Sequence, residues 1–449
     1  MSRALAALFE REQATFRERT PGSRSLHEQA KGSLLHGVPM HWMAEWASPY
    51  PLFVAAAEGA RLTDVDGNLY ADFCLGDTGA MAGHAPRPTV AAVARQAARG
   101  ITAMLPSEDS VWVSQELARR FRVSSWQFAL TATDANRFVI RLARELTGRS
   151  KVLVFNWCYH GSVDEALAVL VESRAVPRPG SVGPPVDPGL TTRVVEWNDL
   201  DALERAVADE DVACVLAEPA LTNIGIVLPE PGFHGSLREL TRRTGTLLAI
   251  DETHTICCGP GGYTGAHALE PDLVTIGKAI AGGIPAAAYG FTEELAHRIE
   301  RELDLGLADV GGIGGTLAGN ALSLAAVRAT LEEVLTEEAF DRMLALAERF
   351  ESETGAVIRD QGLPWHAVRL GCRVEYRFQP QPPRNGGEAA AASDPELDRF
   401  MHLYALNRGI LLTPFHNMAL MSPATEAADV ELHTSVFAAA AEELAPVTT

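Results

Sequence analysis

Apolar residues recur along the chain at two spacings, and the changes between them lay out its architecture. Over 1–20, Leu5, Leu8 and Phe9 recur at helical spacing with charges between them, which predicts an amphipathic helix. The stretch from Pro21 to Pro51 is rich in Gly, Ser, Pro, Trp and Met and predicts irregular structure. LFVAAAEGARLTDVDGNLYADF (52–73) predicts two short strands around the Asp66-Gly67 turn, leading into a third. Helical periodicity follows over 88–99 and 109–121.

From about 127 to 290 the pattern alternates. Runs rich in Val, Ile and Leu stand at 152–155, 193–196, 212–217, 246–250, 273–276 and 286–291, with helical stretches at 134–147, 200–208 and 234–244. Such alternation implies crossover units and a mostly parallel sheet covered on both faces, the α/β class. Residues 319–359 are almost continuously helical in pattern. VRLGCRVEYRF predicts a short strand or two, and PQPPRNGGEAAAASD (380–394) a mobile loop. A helix at 395–408, a strand at 410–412 and a helix at 427–444 complete a smaller α+β C-terminal domain. The predicted division is an N-terminal segment (1–60) packing with the small domain, a large domain (61–325) and the small domain (326–449).

The 449 residues are 47% hydrophobic and 21% charged, a composition that supports a full core. A net charge of −20 argues against nucleic acid or an anionic membrane as partner, while leaving room for one local phosphate site. The six cysteines include no C-x-x-C pair, so the expectation is reduced thiols, no zinc and a cytoplasmic protein. Charges run through the first 20 residues, so no signal peptide is expected, and no stretch is apolar enough for a membrane span.

In parallel sheets ligands bind beyond the carboxyl ends of strands. Four features fall there. TLLAIDETHT (246–255) ends a strand in Asp251-Glu252: an ordinary solvated loop or helix cap, or a carboxylate held to pair with a cation. LVTIGKAIAGG (273–283) ends a strand in Gly277-Lys278: a surface lysine in a turn, or an amine among small residues, poised as a Schiff-base nucleophile. FNWCYHG (155–161) is a core aromatic cluster or a face against which a planar ring stacks. LTATDAN (130–136) is a plain N-cap, or an N-cap that also holds a phosphate on free amides. Together the four are the parts of a pyridoxal phosphate (PLP) site.

The set LTDVDGNLYADF (62–73), GHAP (83–86), ATDAN (132–136), YHG (159–161), EPALTNIG (218–225), DETHT (251–255), IGKAIAGG (276–283) and GGTLAGN (314–320) resembles class III aminotransferases. These are PLP enzymes of fold type I, and the match is to their glutamate-1-semialdehyde aminomutase-like branch. The resemblance runs from about Gly37 to Leu444 and makes the large domain the PLP-binding one. It implies that Lys278 carries PLP and shuttles protons, Asp251 pairs with the pyridine nitrogen, and Tyr159, beside His160, stacks on the ring. Thr131, Ala132 and Thr133 match the phosphate turn, and Glu218 and Asn223 the polar residues near the cofactor's O3′. Thr316 matches the threonine that reaches the phosphate from a neighbouring subunit, which implies a homodimer with shared sites.

The departures bear on substrate. The phosphate turn, usually Ser-Gly-Thr-Glu-Ala, is Thr131-Ala132-Thr133-Asp134-Ala135, and alanine should keep it in ordinary backbone space. DETHTICC lacks the family's arginine. TPFHNMALMSPAT (413–425) has neither a carboxylate-gripping arginine nor the glutamate associated with aminomutases; His416, Asn417 and Met418 stand there. VPMHWMAEWASPYP (38–51) has His41, Trp42 and Trp46 where β-amino-acid aminotransferases have arginine. His41, Trp42, His254, Phe415 and His416 are the expected substrate-binding residues, and they predict apolar or aromatic substrates over acidic ones. The leading expectation is an aminotransferase that moves an amino group from a donor to a keto acceptor through a Lys278 Schiff base. The alternative is an isomerase of the same branch, a 2,1-aminomutase or racemase. A non-catalytic PLP-fold protein is a third reading, disfavoured because Lys278 and Asp251 stay in register.

Overall fold

The computed structural model describes residues 3–183, 186–303 and 312–448. The chain divides into two compact units. One combines the N-terminal residues through Pro86 with 338–382 and the segment from Ala392 onward; the other combines 87–337 with 383–391.

The second unit is built on a seven-stranded sheet. Its strands are β1 (Ser125–Ala129), β2 (Lys151–Phe155), β3 (Thr192–Val195), β4 (Val212–Ala217), β5 (Leu247–Asp251), β6 (Leu273–Ile276) and β7 (Ala287–Phe291). Their order is β1-β7-β6-β5-β4-β2-β3. β2 to β6 pair in parallel, and β7 runs antiparallel to both β6 and β1. β4, β5, β6 and β7 are buried along their whole length, which is why they read as continuous apolar runs rather than alternating ones. The helix Ala132–Thr147 lays Phe138, Val139, Leu142, Ala143 and Leu146 onto this core. Trp197 packs between Phe155 and Phe233, with ring centroids at 4.7 and 4.5 Å. The strand–helix alternation therefore yields the expected mostly parallel α/β sheet.

The first unit holds a four-stranded sheet (Val54–Glu58, Arg61–Asp64, Leu69–Asp72, Ile410–Leu411) and a three-stranded antiparallel one (His366–Leu370, Arg373–Arg377, Met418–Leu420). The helix Arg3–Arg19 buries Leu5, Phe9 and Phe16. Its Glu12 accepts hydrogen bonds from Asn407 (2.8 Å) and Arg408 (3.0 Å).

Two expectations about elements need correction. The stretch from Pro21 contains a helix, Pro21–Ala30. Proline suits the first helical position because its missing amide is one that a helix start leaves unpaired. The following amides of Gly22 and Ser23 donate to Asp66 at 2.6 and 3.0 Å, a cap from 43 residues away that local composition does not reveal. The segment expected as a loop over 380–394 holds the helix Gly386–Ala391. Its start is capped locally: Glu388 N donates to Asn385 Oδ1, and Arg384 N to the Glu388 carboxylate, both at 2.8 Å. The almost continuous helical run over 319–359 is present, as Ala321–Glu333 and Glu337–Asp360. Among the described residues no helix is long and apolar enough to cross a membrane, and no cluster of His, Cys, Asp or Glu could hold a metal. None of the six cysteines is in a disulfide.

Candidate active site

The parallel course of β2, β4, β5 and β6 brings their following loops to one edge of the sheet, and β1 delivers Thr131 to the same edge through its antiparallel pairing with β7. β5 ends in Asp251, in register with Thr275 of β6. Asp251 Oδ2 accepts from His160 Nδ1 at 2.9 Å and from Asn136 Nδ2 at 2.8 Å, while Oδ1 accepts from Thr253 N at 3.1 Å. Asn136 is itself fixed, donating to His160 O (3.2 Å) and accepting from Thr275 Oγ1 (2.7 Å). Asp251 and His160 are both buried. Burial pushes the Asp251 carboxyl up, but the hydrogen bond and charge of His160, with the bonds from Thr253 and Asn136, outweigh it and bring the pKa down to about 2. Burial opposes charge on His160 too, yet Cys158 and Asp251 raise its pKa well above the ordinary value. Each group thus favours the charged form of the other.

Asn136 is a member of this cluster that motif reading did not single out. It lies inside the quoted ATDAN, and the available signal was a polar residue on the helix face that otherwise carries Val139, Ile140 and Ala143.

Thr131 caps the helix Ala132–Thr147 with an extended backbone (φ −133°), and its Oγ1 accepts from Asp134 N at 3.1 Å. Ala132 is not among the positive-φ residues, so the turn keeps ordinary geometry. The first amides of this 16-residue helix have no acceptor within the helix and carry its positive dipole end. Thr133 Oγ1 accepts from Ser162 N at 3.1 Å. Gly161 has φ +78°, and a Cβ there would fall 2.0 Å from Thr133 Oγ1, so only glycine lets the β2 loop pass this close to the helix start. A Cβ at Gly277 would meet Ala132 Cβ at 3.0 Å, which shows how closely the end of β6 approaches the same helix start.

Lys278 follows at once, in the left-handed region (φ 49°), uncommon for a residue with a side chain. It opens a short turn, Lys278–Ala281, whose next three residues are fully buried. Its Nζ lies 2.9 Å from Nε2 of His254. Glu218, past the end of β4, is buried; Oε1 accepts from Tyr159 N (3.1 Å), and Oε2 from Thr222 N (3.0 Å) and Thr222 Oγ1 (2.5 Å). Burial raises its pKa, against the charge of His160 and the Thr222 bond. Tyr159 and Asn223 are half-buried, Asn223 in a loop closed by the Leu221–Val227 bridge.

The expected substrate residues are drawn from both units. His41, Trp42, Phe415 and His416 belong to the first unit and His254 to the second. Trp42 and Phe415 pack edge-on at 5.7 Å, with Phe415 and His41 exposed. Burial pushes the His416 imidazole down to about 3, assisted by the charges of Arg373 and Arg377 and opposed by Asp77, so it is neutral. Thr316 is exposed on the 316–319 turn.

Glu252 has a different task from Asp251. It is fully buried, its Oε2 accepting from Thr255 Oγ1 (2.6 Å) and Tyr263 N (3.0 Å) and its Oε1 from Thr264 N (2.5 Å). Burial raises its pKa to about 7 against these donors. Glu252→Gln would turn an amide group toward one of these donors and leave it unpaired. The expected result is a loss of about 1–3 kcal/mol in denaturant unfolding, with the Lys278 environment retained.

An amine, a buried ionised carboxylate, a helix N-terminus and an aromatic ring within one strand-end cluster match the donor set that PLP requires. The comparisons agree. The family model for class III aminotransferases matches residues 42–424, and the chain belongs to that family. Its cofactor is pyridoxal 5′-phosphate and its fold is fold type I. It is 34% identical over 396 residues to the glutamate-1-semialdehyde 2,1-aminomutase of Desulfitobacterium hafniense, covering 85% of this chain and 88% of that one. Among solved structures, a glutamate-1-semialdehyde-aminomutase from Pseudomonas aeruginosa PAO1 matches at 53% identity and TM-score 0.96 over 98% of both chains. A lysine-to-alanine variant of that protein was solved in complex with PMP. An omega-transaminase from Sphaerobacter thermophilus matches at 28% identity and TM-score 0.85, over 95% of this chain and 99% of that one.

Proposed function

We propose that the protein is a PLP-dependent isomerase that moves an amino group between adjacent carbons of one substrate, a 2,1-aminomutase. The observation that carries this reading is the 53% identity, over 98% of both chains, to a protein named as an aminomutase. It favours the alternative of the sequence reading over the two-substrate aminotransferase. Bound PLP supplies the electron sink that lets a C–H bond beside the amino nitrogen ionise. Lys278 Nζ would anchor the cofactor and would take and return the proton at that carbon. Asp251, oriented by His160 and Asn136, holds a proton on the ring nitrogen. The first amides of the helix Ala132–Thr147 and the hydroxyls of Thr131 and Thr133 take the phosphate. Tyr159 would stack on the ring, and Glu218 and Asn223 would hold its oxygen side.

The test supplies glutamate 1-semialdehyde alone. Moving its amino group from carbon 2 to carbon 1, with carbon 1 losing its oxygen as water and carbon 2 gaining one from water, gives 5-amino-4-oxopentanoate. Its formation by the holoenzyme without any keto acid supports the proposal. Product that appears only when a separate amino donor and keto acceptor are supplied makes the protein a transaminase, the reading favoured by His416, Asn417 and Met418 standing where a glutamate is expected.

Thr316 is proposed to complete the phosphate site from a second copy of the chain, consistent with its exposure on the 316–319 turn. Thr316→Ala should weaken PLP retention on dialysis, and activity per subunit should fall on dilution. A monomer by light scattering with full activity would sink the shared-site model.

A further inference from the structure

We propose that His254 is the proton-exchange partner of Lys278: its imidazole orients the Lys278 amine and carries that amine's proton to and from solvent. This rests on the reading of Lys278 as the cofactor lysine. The geometry comes from sheet register. Asp251 of β5 lies opposite Thr275 of β6, and His254 and Lys278 each stand three residues beyond that pair. Two parallel strands ending in step therefore deliver both side chains to the same place, and Nζ and Nε2 meet at 2.9 Å. The left-handed backbone of Lys278 (φ 49°) turns the chain there directly after Gly277.

The chemistry needs such a partner. A lysine adds to an aldehyde only as the neutral amine, and one that has taken a substrate proton must be able to lose it. Imidazole is the side chain suited to gain and release protons near neutral pH. The proton leaves Nζ for Nε2, giving an imidazolium and a neutral amine, and water then takes it from the imidazolium. His254 and Lys278 are both half-buried, so the imidazole lies between the amine and solvent on one route for its proton. Asp251 and His160 do not serve here, because they are hydrogen-bonded to each other at 2.9 Å.

The test uses apoenzyme and added PLP, with the growth of the yellow absorbance of the lysine–cofactor bond as readout. Wild type, His254→Ala, His254→Gln and Lys278→Ala are compared, the histidine variants with and without imidazole in the buffer. His254→Ala should capture PLP about a hundredfold more slowly, the lower end of what positioned proton transfer supplies, and imidazole should restore most of that rate. His254→Gln keeps a hydrogen-bond partner but carries no proton, and should stay slow. Wild-type rates in both histidine variants, a fast glutamine variant, or no rescue by imidazole would each overturn the proposal. Normal capture by Lys278→Ala would instead overturn the lysine assignment on which it rests. In wild-type turnover in heavy water, deuterium should enter the product at the transferred position. His254→Ala should show less of it, and unchanged incorporation counts against the relay.

Discussion

Lys278→Ala should abolish turnover and the yellow absorbance of the lysine–cofactor bond while leaving the fold intact. The backbone at Lys278 is left-handed, and alanine meets the same steric cost there as lysine, so the substitution adds no new strain. The turn that follows, Ala279 to Ala281, is buried and does not depend on the amine. What is lost is the covalent anchor and the proton carrier together. Positioned acid–base catalysis alone is worth about 10²–10⁴ in rate. The expected loss is therefore at least about 10⁴-fold in kcat, at or below the detection limit of a direct assay. PLP should still bind, through the helix start at Ala132 and the Asp251 carboxylate, and should wash out more readily on dialysis. Normal turnover in this variant would assign the anchoring amine elsewhere.

The parts of this site that were legible in the sequence are those set by single strand ends. A run such as LLAID followed by an acid, or LVTIGK ending in a lysine, marks a place beyond a buried parallel strand, because both faces of that strand must be apolar. What makes Asp251 a fixed anion was less visible. Asn136 comes from 115 residues earlier, on a helix whose other inward residues are apolar, and only the fold brings it to the carboxylate. The helix Pro21–Ala30 was hidden for the same reason, since its cap is Asp66 from a distant turn. The Asn385-x-x-Glu388 cap, by contrast, was local and could have been read through the proline- and alanine-rich composition around it. Isomerase against transaminase was not legible because both use the same lysine and aspartate. The difference lies in which substrate groups the pocket retains.

Asp251→Asn should keep the fold and bound PLP but lower kcat by about a thousandfold. In the wild type, Asp251 Oδ2 receives two donors, His160 Nδ1 and Asn136 Nδ2, and Oδ1 receives Thr253 N. An asparagine can turn its oxygen to only one of these sides. With the oxygen toward His160 and Asn136, its amide hydrogens face the Thr253 amide, and one donor goes unpaired, at about 1–3 kcal/mol. The larger effect is electrical. A unit negative charge about 4 Å from a protonated nitrogen, at an effective dielectric of 20, is worth about 4 kcal/mol. That corresponds to roughly three pKa units, so without it nothing else in the cluster keeps a proton on the ring nitrogen at neutral pH. At about 1.4 kcal/mol per factor of ten, the same 4 kcal/mol is about 10³ in rate. His160 would also lose the anion that helps raise its pKa and revert toward a neutral imidazole. Asp251→Glu keeps the charge but lengthens the side chain by a methylene, so it should retain more activity than Asp251→Asn if charge is what matters. The measurement is kcat for both variants at saturating PLP, with cofactor content checked by absorbance after denaturation. Near wild-type kcat in Asp251→Asn would mean that another group holds the ring nitrogen. Equal losses in both variants would mean that the position of the carboxylate, more than its charge, sets the rate.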